Sequence, residues 1–188
     1  MSLLLIFISD LNRIQVLKRH LILLGFLVIF LSCTEKKNSS ELKPLLIEQM
    51  KYSHSDENWF VPIKTAIAGL TAEQANWKDS TENHSIAELV SHLTFWNNGF
   101  LKDLNGEEFS DYDIENDKTF EIYSEREWKN AVTKLDSVES ELERITEKLS
   151  DEQMSEAASD ILTMTSHNAY HTGQIIYIRK RNGWWNRK

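Results

Sequence analysis

Cysteine is all but absent, since Cys33 is the only one in the 188-residue chain. An intramolecular disulfide is therefore excluded, and beyond residue 33 no thiolate can serve as nucleophile or metal ligand. Any metal site in the body of the chain must come from His, Asp or Glu. Proline (2) and glycine (6) are also scarce, which suits long helices and few tight turns. Positive charge is in deficit. The formal net charge is −8, and residues 1–33 hold Arg13, Lys18 and Arg19 against Asp10, so the remainder carries −10. A phosphate backbone calls for a basic surface, so no nucleic-acid partner is expected. Hydrophobic residues at 41% and charged residues at 27% give an ordinary globular balance, and the length suits one domain with one core.

Long apolar runs are missing too, with one exception at residues 21–31. It is shorter than the roughly 20 residues that a spanning helix needs. Arg13, Lys18, Arg19 and His20 flank it on the N-terminal side, as in an export signal. Ser32-Cys33 follows directly and resembles a bacterial lipoprotein signal, in which the cysteine is lipidated and becomes the first mature residue. Phe30 stands where such signals usually have Leu. The alternative is an uncleaved N-terminal anchor with an incidental cysteine. The expected organisation is a lipoprotein-type signal peptide at 1–33 with Cys33 lipidated, a flexible tether at 34–40, and a domain at 41–188. The expected location is exported and lipid-anchored to the bacterial cell envelope, with the membrane as partner through that anchor.

What is present in quantity is helical periodicity. Leu42, Leu45, Leu46 and Met50 share a face, and the pattern resumes after Pro62 through Leu70, which predicts one long first helix with a kink. Thr71-Ala72-Glu73-Gln74 is a capping box opening a short turn. Ser85-Ile86-Ala87-Glu88 is a second, and starts a stripe from Ile86 through Leu89, Leu93 and Trp96 to Leu104, with Gly106 as the stop. Residues 107–123 are acidic and patternless. Ser124-Glu125-Arg126-Glu127 opens a third stripe from Trp128 to Leu149, with Glu139, Glu141, Glu143 and Arg144 read as its solvated face. Ser150 caps a short segment, and a last helix runs from about Asp160 to Arg181. Four main helices without a convincing strand or repeat make a four-helix bundle. The long third connection lets the second and third helices run parallel.

Within the last helix, His167 and His171 lie four residues apart, hence on one face, together with Met164, Ile175 and Ile178. His92 shares a face with Leu89, Trp96 and Phe100. Side chains on facing helices build bundle cofactor sites in this way. Three neutral imidazoles with one open position is a catalytic rather than a structural metal arrangement. Such an ion can acidify a bound water or bind a thiolate. Imidazoles bind only when neutral, so metal should be released below a pH of roughly 6. The plainer reading of the spacing is two partly buried histidines bonded to their neighbours, with His92 unrelated.

The run from His84 through Ser85-Ile86-Ala87-Glu88 to His92, then Trp96, then His167-Asn168-Ala169-Tyr170-His171-Thr172-Gly173-Gln174-Ile175, resembles the DinB/YfiT-like superfamily. Trp59-Phe60-Val61-Pro62 and Gly69-Leu70-Thr71-Ala72-Glu73-Gln74-Ala75 resemble one of its branches. The resemblance covers about residues 41–181. It implies an all-α four-helix bundle of up-down-down-up order, with a divalent metal, usually zinc or nickel, on His92, His167 and His171. Among the relatives it implies, some are thiol-dependent transferases or isomerases, and the expected function here is a metal-dependent enzyme acting on a small-molecule substrate, a hydrolase or a thiol-dependent transferase. An alternative of another class is a non-catalytic lipoprotein whose metal serves stability or ligand binding. A homodimer is among the assemblies open to it.

Other residues carry two readings each. Glu88 is a general base or the partner in its capping box. Trp96, Tyr170 and Gln174 line a substrate pocket, or Trp96 is core and Gln174 a structural bond. Gly173 costs helix stability, about 1 kcal/mol against Ala, which a close helix approach would justify. His54 and His84 sit in loop-like contexts and read as surface residues. Trp184-Trp185 reads as packing on the bundle end or as a contact at a membrane surface.

Overall fold

The computed structural model describes residues 39–185. The expected signal peptide, Cys33 and residues 34–38 of the tether lie outside the described residues. Within them, all regular structure is helical. The helices are α1 (Ser39–His54), α2 (Ile63–Ile67), α3 (Ala72–Asn76), α4 (Ile86–Leu104), α5 (Glu125–Thr146) and α6 (Asp151–Arg181). Two 3-10 turns, Ser110–Asp113 and Asn116–Thr119, lie between α4 and α5. Among the described residues no helix is long and apolar enough to cross a membrane.

Helix starts follow from local chemistry. Thr71, Ser85, Ser124 and Ser150 each accept the backbone N–H three residues on. In return Gln74, Glu88, Glu127 and Gln153 accept the cap residue's own N–H. Each box satisfies two donors that a helix end otherwise leaves orphaned, a contribution of about 1 kcal/mol. Gly106 and Gly183 take φ values of 71° just past α4 and α6, where a residue without Cβ ends a helix at least cost.

Two expectations about the helices need correction. The kinked first helix is two helices, with residues 55–62 non-helical between them. Pro62 is the N-cap of α2 in an extended conformation, because proline restarts a helix better than it continues one. At the other end, the short segment after Ser150 and the last helix are one continuous α6. Residues 154–160 contain neither Gly nor Pro to interrupt it.

The packed interior has two apolar clusters. The first joins α2, α3, Leu89, Val90 and Leu93 of α4, Trp128 and Leu135 of α5, and Ile175 of α6. Trp184 packs against it and meets Trp77 edge-on at 6.0 Å. The second joins Leu46 and Met50 of α1, Val138 and Leu142 of α5, and Ile161 and Met164 of α6, with Phe100 and Leu104 against it. The early halves of α4 and α5 share one cluster and their later halves the other, so these two helices run the same way.

Between the clusters lies a buried polar layer that holds His92, Asn97, Glu139, Asn168 and His171. Glu139 therefore does not face solvent as its charge suggested. It sits four residues after Leu135 and three before Leu142, on the stripe itself. Its Oε1 accepts from Asn97 at 2.6 Å and from Asn168 at 2.7 Å, and burial raises its carboxyl to about 7. His54 is likewise not a surface residue. It ends α1, is buried, and pairs with Asp136 at 2.9 Å and Glu143 at 2.7 Å.

Candidate metal centre

The centre is assembled from α4, α6 and the connection between α4 and α5. His92 Nε2 lies 3.1 Å from His167 Nε2, which lies 3.0 Å from His171 Nε2. Ligand atoms of all three fall within 4.8 Å of one another, so the cluster can hold a metal ion.

The hydrogen bonds around the rings decide where their protons sit. Thr119 Oγ1 donates to Asn116 O at 2.7 Å, so it accepts from His92 Nδ1–H at 2.6 Å. His171 Nδ1–H donates to Gln174 Oε1 at 2.6 Å. Both bonds leave the Nε2 lone pairs of His92 and His171 bare and aimed at His167. His167 can offer at most one Nε2 proton to the two of them. A donor set of inward lone pairs in excess of protons fits a cation. Tetrahedral ligands at about 2.0–2.1 Å from an ion stand roughly 3.3 Å apart, close to the spacing of these nitrogens.

Phe120 fixes the His92 ring from the side. It lies parallel between two histidines, with centroids 4.4 Å from His92 and 3.6 Å from His84. His84 is thus half-buried against the site rather than free on the surface. Burial, then the neighbouring His167 and His171, holds His92 down to about 3. Burial and His171 hold His167 down to about 4, and burial also lowers His171. Neutral imidazoles are the ligand form, so all three shifts favour the binding state of the centre. The expected release of metal near pH 6 shifts downward accordingly.

Two cavities flank the triad. One, of about 440 Å³, reaches His92 and His167 and includes Trp96, half-buried and 6.3 Å from the His92 ring. The other, of about 420 Å³, includes Tyr170, Gln174 and His84. The three residues expected in one pocket are therefore divided between two. Gly173 lines the second, and a Cβ there would meet nothing within 4 Å, so no close helix approach accounts for it. The close approach is at Gly99 instead, where a Cβ would stand 2.6 Å from the Phe109 ring. Glu88 is fully engaged as a cap. Its Oε2 accepts Ser85 N–H at 2.6 Å and its Oε1 pairs with Lys78 at 3.1 Å.

Thr119 and Phe120 escaped the sequence reading because they end an acidic stretch without periodicity. Phe120 is one of several apolar residues there, with Phe109, Ile114 and Ile122, and nothing in their spacing singles it out. Comparison with known sequences agrees with this picture. A sequence model described as the DinB superfamily matches residues 63–175, more than half of the chain. No curated protein and no solved structure gives a match. The matched span holds all three histidines, the whole of α4, and α6 as far as Ile175, and the chain belongs to the DinB superfamily.

Proposed function

We propose that this protein is a divalent-metal-dependent enzyme, a hydrolase or a thiol-dependent transferase, with zinc or nickel held by His92, His167 and His171. The observation that carries the proposal is the convergence of three proton-poor Nε2 atoms beside a cavity large enough for a small molecule. When bound, the ion supplies Lewis acidity and a coordination position for water or a thiol. The chain's own residues do the rest. Thr119 and Gln174 set the tautomers of His92 and His171. Phe120 locks the His92 ring, and Trp96 forms a wall against which substrate packs. Glu88 acts as a helix cap, and a general-base role for it is tested below.

A non-catalytic metal-binding lipoprotein is the other reading. It would suit a sealed centre with a fourth protein ligand. Among the described residues the cluster has three members, and a cavity reaches two of them, which favours the enzyme. The purified protein should bind one equivalent of zinc or nickel, and the loaded form should turn over a thiol or ester substrate that His167→Ala does not. Absence of divalent metal after reconstitution would end the enzyme proposal. The lipid anchor is part of the same reading. Acyl labelling of the wild type and its loss in Cys33→Ala would support it, and unchanged processing in that variant would remove it.

A further inference from the structure

Helix α6 shows solvent a stripe that runs through Ser159, Thr163, Ser166, Tyr170, Gln174 and Tyr177, at helical spacing. Residues 161–178 hold no Asp, Glu, Lys or Arg, in a chain of which 27% is charged. Tyr170 and Tyr177 stand at 64% and 65% exposure, and Leu162 at the edge of the stripe at 47%. Missing charge together with exposed aromatic rings is the composition of an interface core, not of a solvated face. Charge returns at the two ends with opposite signs. Glu152 and Glu156 are exposed at the start of the stripe, Lys180 and Arg181 at its end. Arg181 bonds its own Asp79 at 2.6 Å through one nitrogen and keeps further N–H donors for a second acceptor.

A stripe acidic at one end and basic at the other complements a copy of itself turned end for end. In antiparallel helices each step forward on one is matched by a step back on the other. The register that sets Glu156 against the partner's Arg181 therefore fixes every other pair. Thr163 meets the partner's Gln174, Ser159 the partner's Tyr177, and Ser166 the partner's Tyr170, a smaller side chain against a larger one each time. Leu162 meets the partner's Gly173. A Cβ at Gly173 would touch nothing within its own chain, and this register gives its absence a use, as room for an incoming leucine. A net charge of −8 makes copies of the chain repel one another over most of the surface, but not along this face.

We infer that two copies of this chain associate through α6, antiparallel about a two-fold axis between Ser166 and Tyr170, and that each copy roofs the other's cavities. Thr163 lines the 440 Å³ cavity, and Tyr170, Gln174 and Tyr177 line the 420 Å³ cavity. The partner's Gln174 thus arrives at the mouth of the cavity that reaches His92 and His167. The association does not depend on metal.

Sedimentation of the full chain should show a dimer that dissociates in the micromolar range, since one helix pair makes a small interface. Leu162→Glu should weaken it about tenfold, with helical content and metal content unchanged. Glu156→Lys should weaken it less, and the loss should shrink as salt is raised. Cysteine pairs in a Cys33→Ser background read the register. Ser159→Cys with Tyr177→Cys should give a covalent dimer under a mild oxidant, whereas Ser159→Cys with Tyr170→Cys, offset by two turns, should not. A monomeric wild type, a dimer indifferent to Leu162→Glu, or cross-linking that ignores the register would overturn the inference.

Discussion

His54 and His92 are buried almost equally, at 3% and 4% exposure, and the protein uses them in opposite ways. Burial alone pushes both rings toward the neutral form. Around His54 it is outweighed by the hydrogen bonds that the ring donates to Glu143 and Asp136, so His54 is raised above its ordinary value. Around His92 the neighbours are two more imidazoles, which add to burial. One ring therefore favours its charged form and braces α1 against α5. The others remain neutral and keep their lone pairs for a cation. Depth in the core does not tell a ligand from a brace; the charge of the immediate neighbours does.

The comparison breaks most sharply under substitution. His167→Ala should remove stoichiometric metal binding, read by elemental analysis of the reconstituted protein. His54→Ala should leave metal content intact and cost about 2–3 kcal/mol in urea unfolding, because Asp136 and Glu143 lose their buried partner. Metal loss in His54→Ala with retention in His167→Ala would invert the assignment.

Acidity and alkalinity should separate the two regions next. A raised His54 contributes stability that is complete below about pH 6.5, the unfolded value. That stability is lost as pH rises through the folded value. The triad runs the other way in the metal-free protein. Its contribution is complete above about pH 6.5 and is lost as pH falls toward about 4 for His167 and about 3 for His92. Urea midpoints across pH should therefore fall on both sides. His54→Gln should flatten the alkaline limb and His167→Ala the acid limb. Glu139, raised to about 7, also declines with rising pH, so Glu139→Gln serves as the control for its share of the alkaline limb.

Smaller effects sharpen the ligand side. Thr119→Val removes the acceptor that orients His92 and should weaken metal affinity by about tenfold in chelator competition, with little change in fold. Glu88→Gln should preserve both metal and the capping box, since Gln closes such a box as well as Glu. Stability should change by under about 0.5 kcal/mol. A large loss of turnover in that variant with metal retained would assign Glu88 the base role.

Elements with their own local signals were readable from the sequence. Four capping boxes mark helix starts because each is complete within four residues. His167 and His171 share a turn, so their spacing alone placed them on one face. His92 could be joined to them by family resemblance, since its partner lies 75 positions away. The burial of His54 was not readable, because it depends on Asp136 and Glu143 arriving from another helix, whereas that of Glu139 was legible in its place between Leu135 and Leu142. Charge suggested a surface where position on the stripe pointed inward. Thr119 and Phe120 were not readable either, since their role exists only once the connection folds back on α4.

That the centre draws on three distant stretches also bears on the order of events in folding. The His92–Thr119 bond spans 27 positions and the His92–His167 contact 75. Loops of that size must close before the ligands meet. An ion can therefore recognise a finished domain but has little to grip in a nascent one. Its effect should fall on the rate of unfolding and not on the rate of folding. Metal would then act as a seal on completed molecules, and the unmetallated fraction would be the one that proteases reach first.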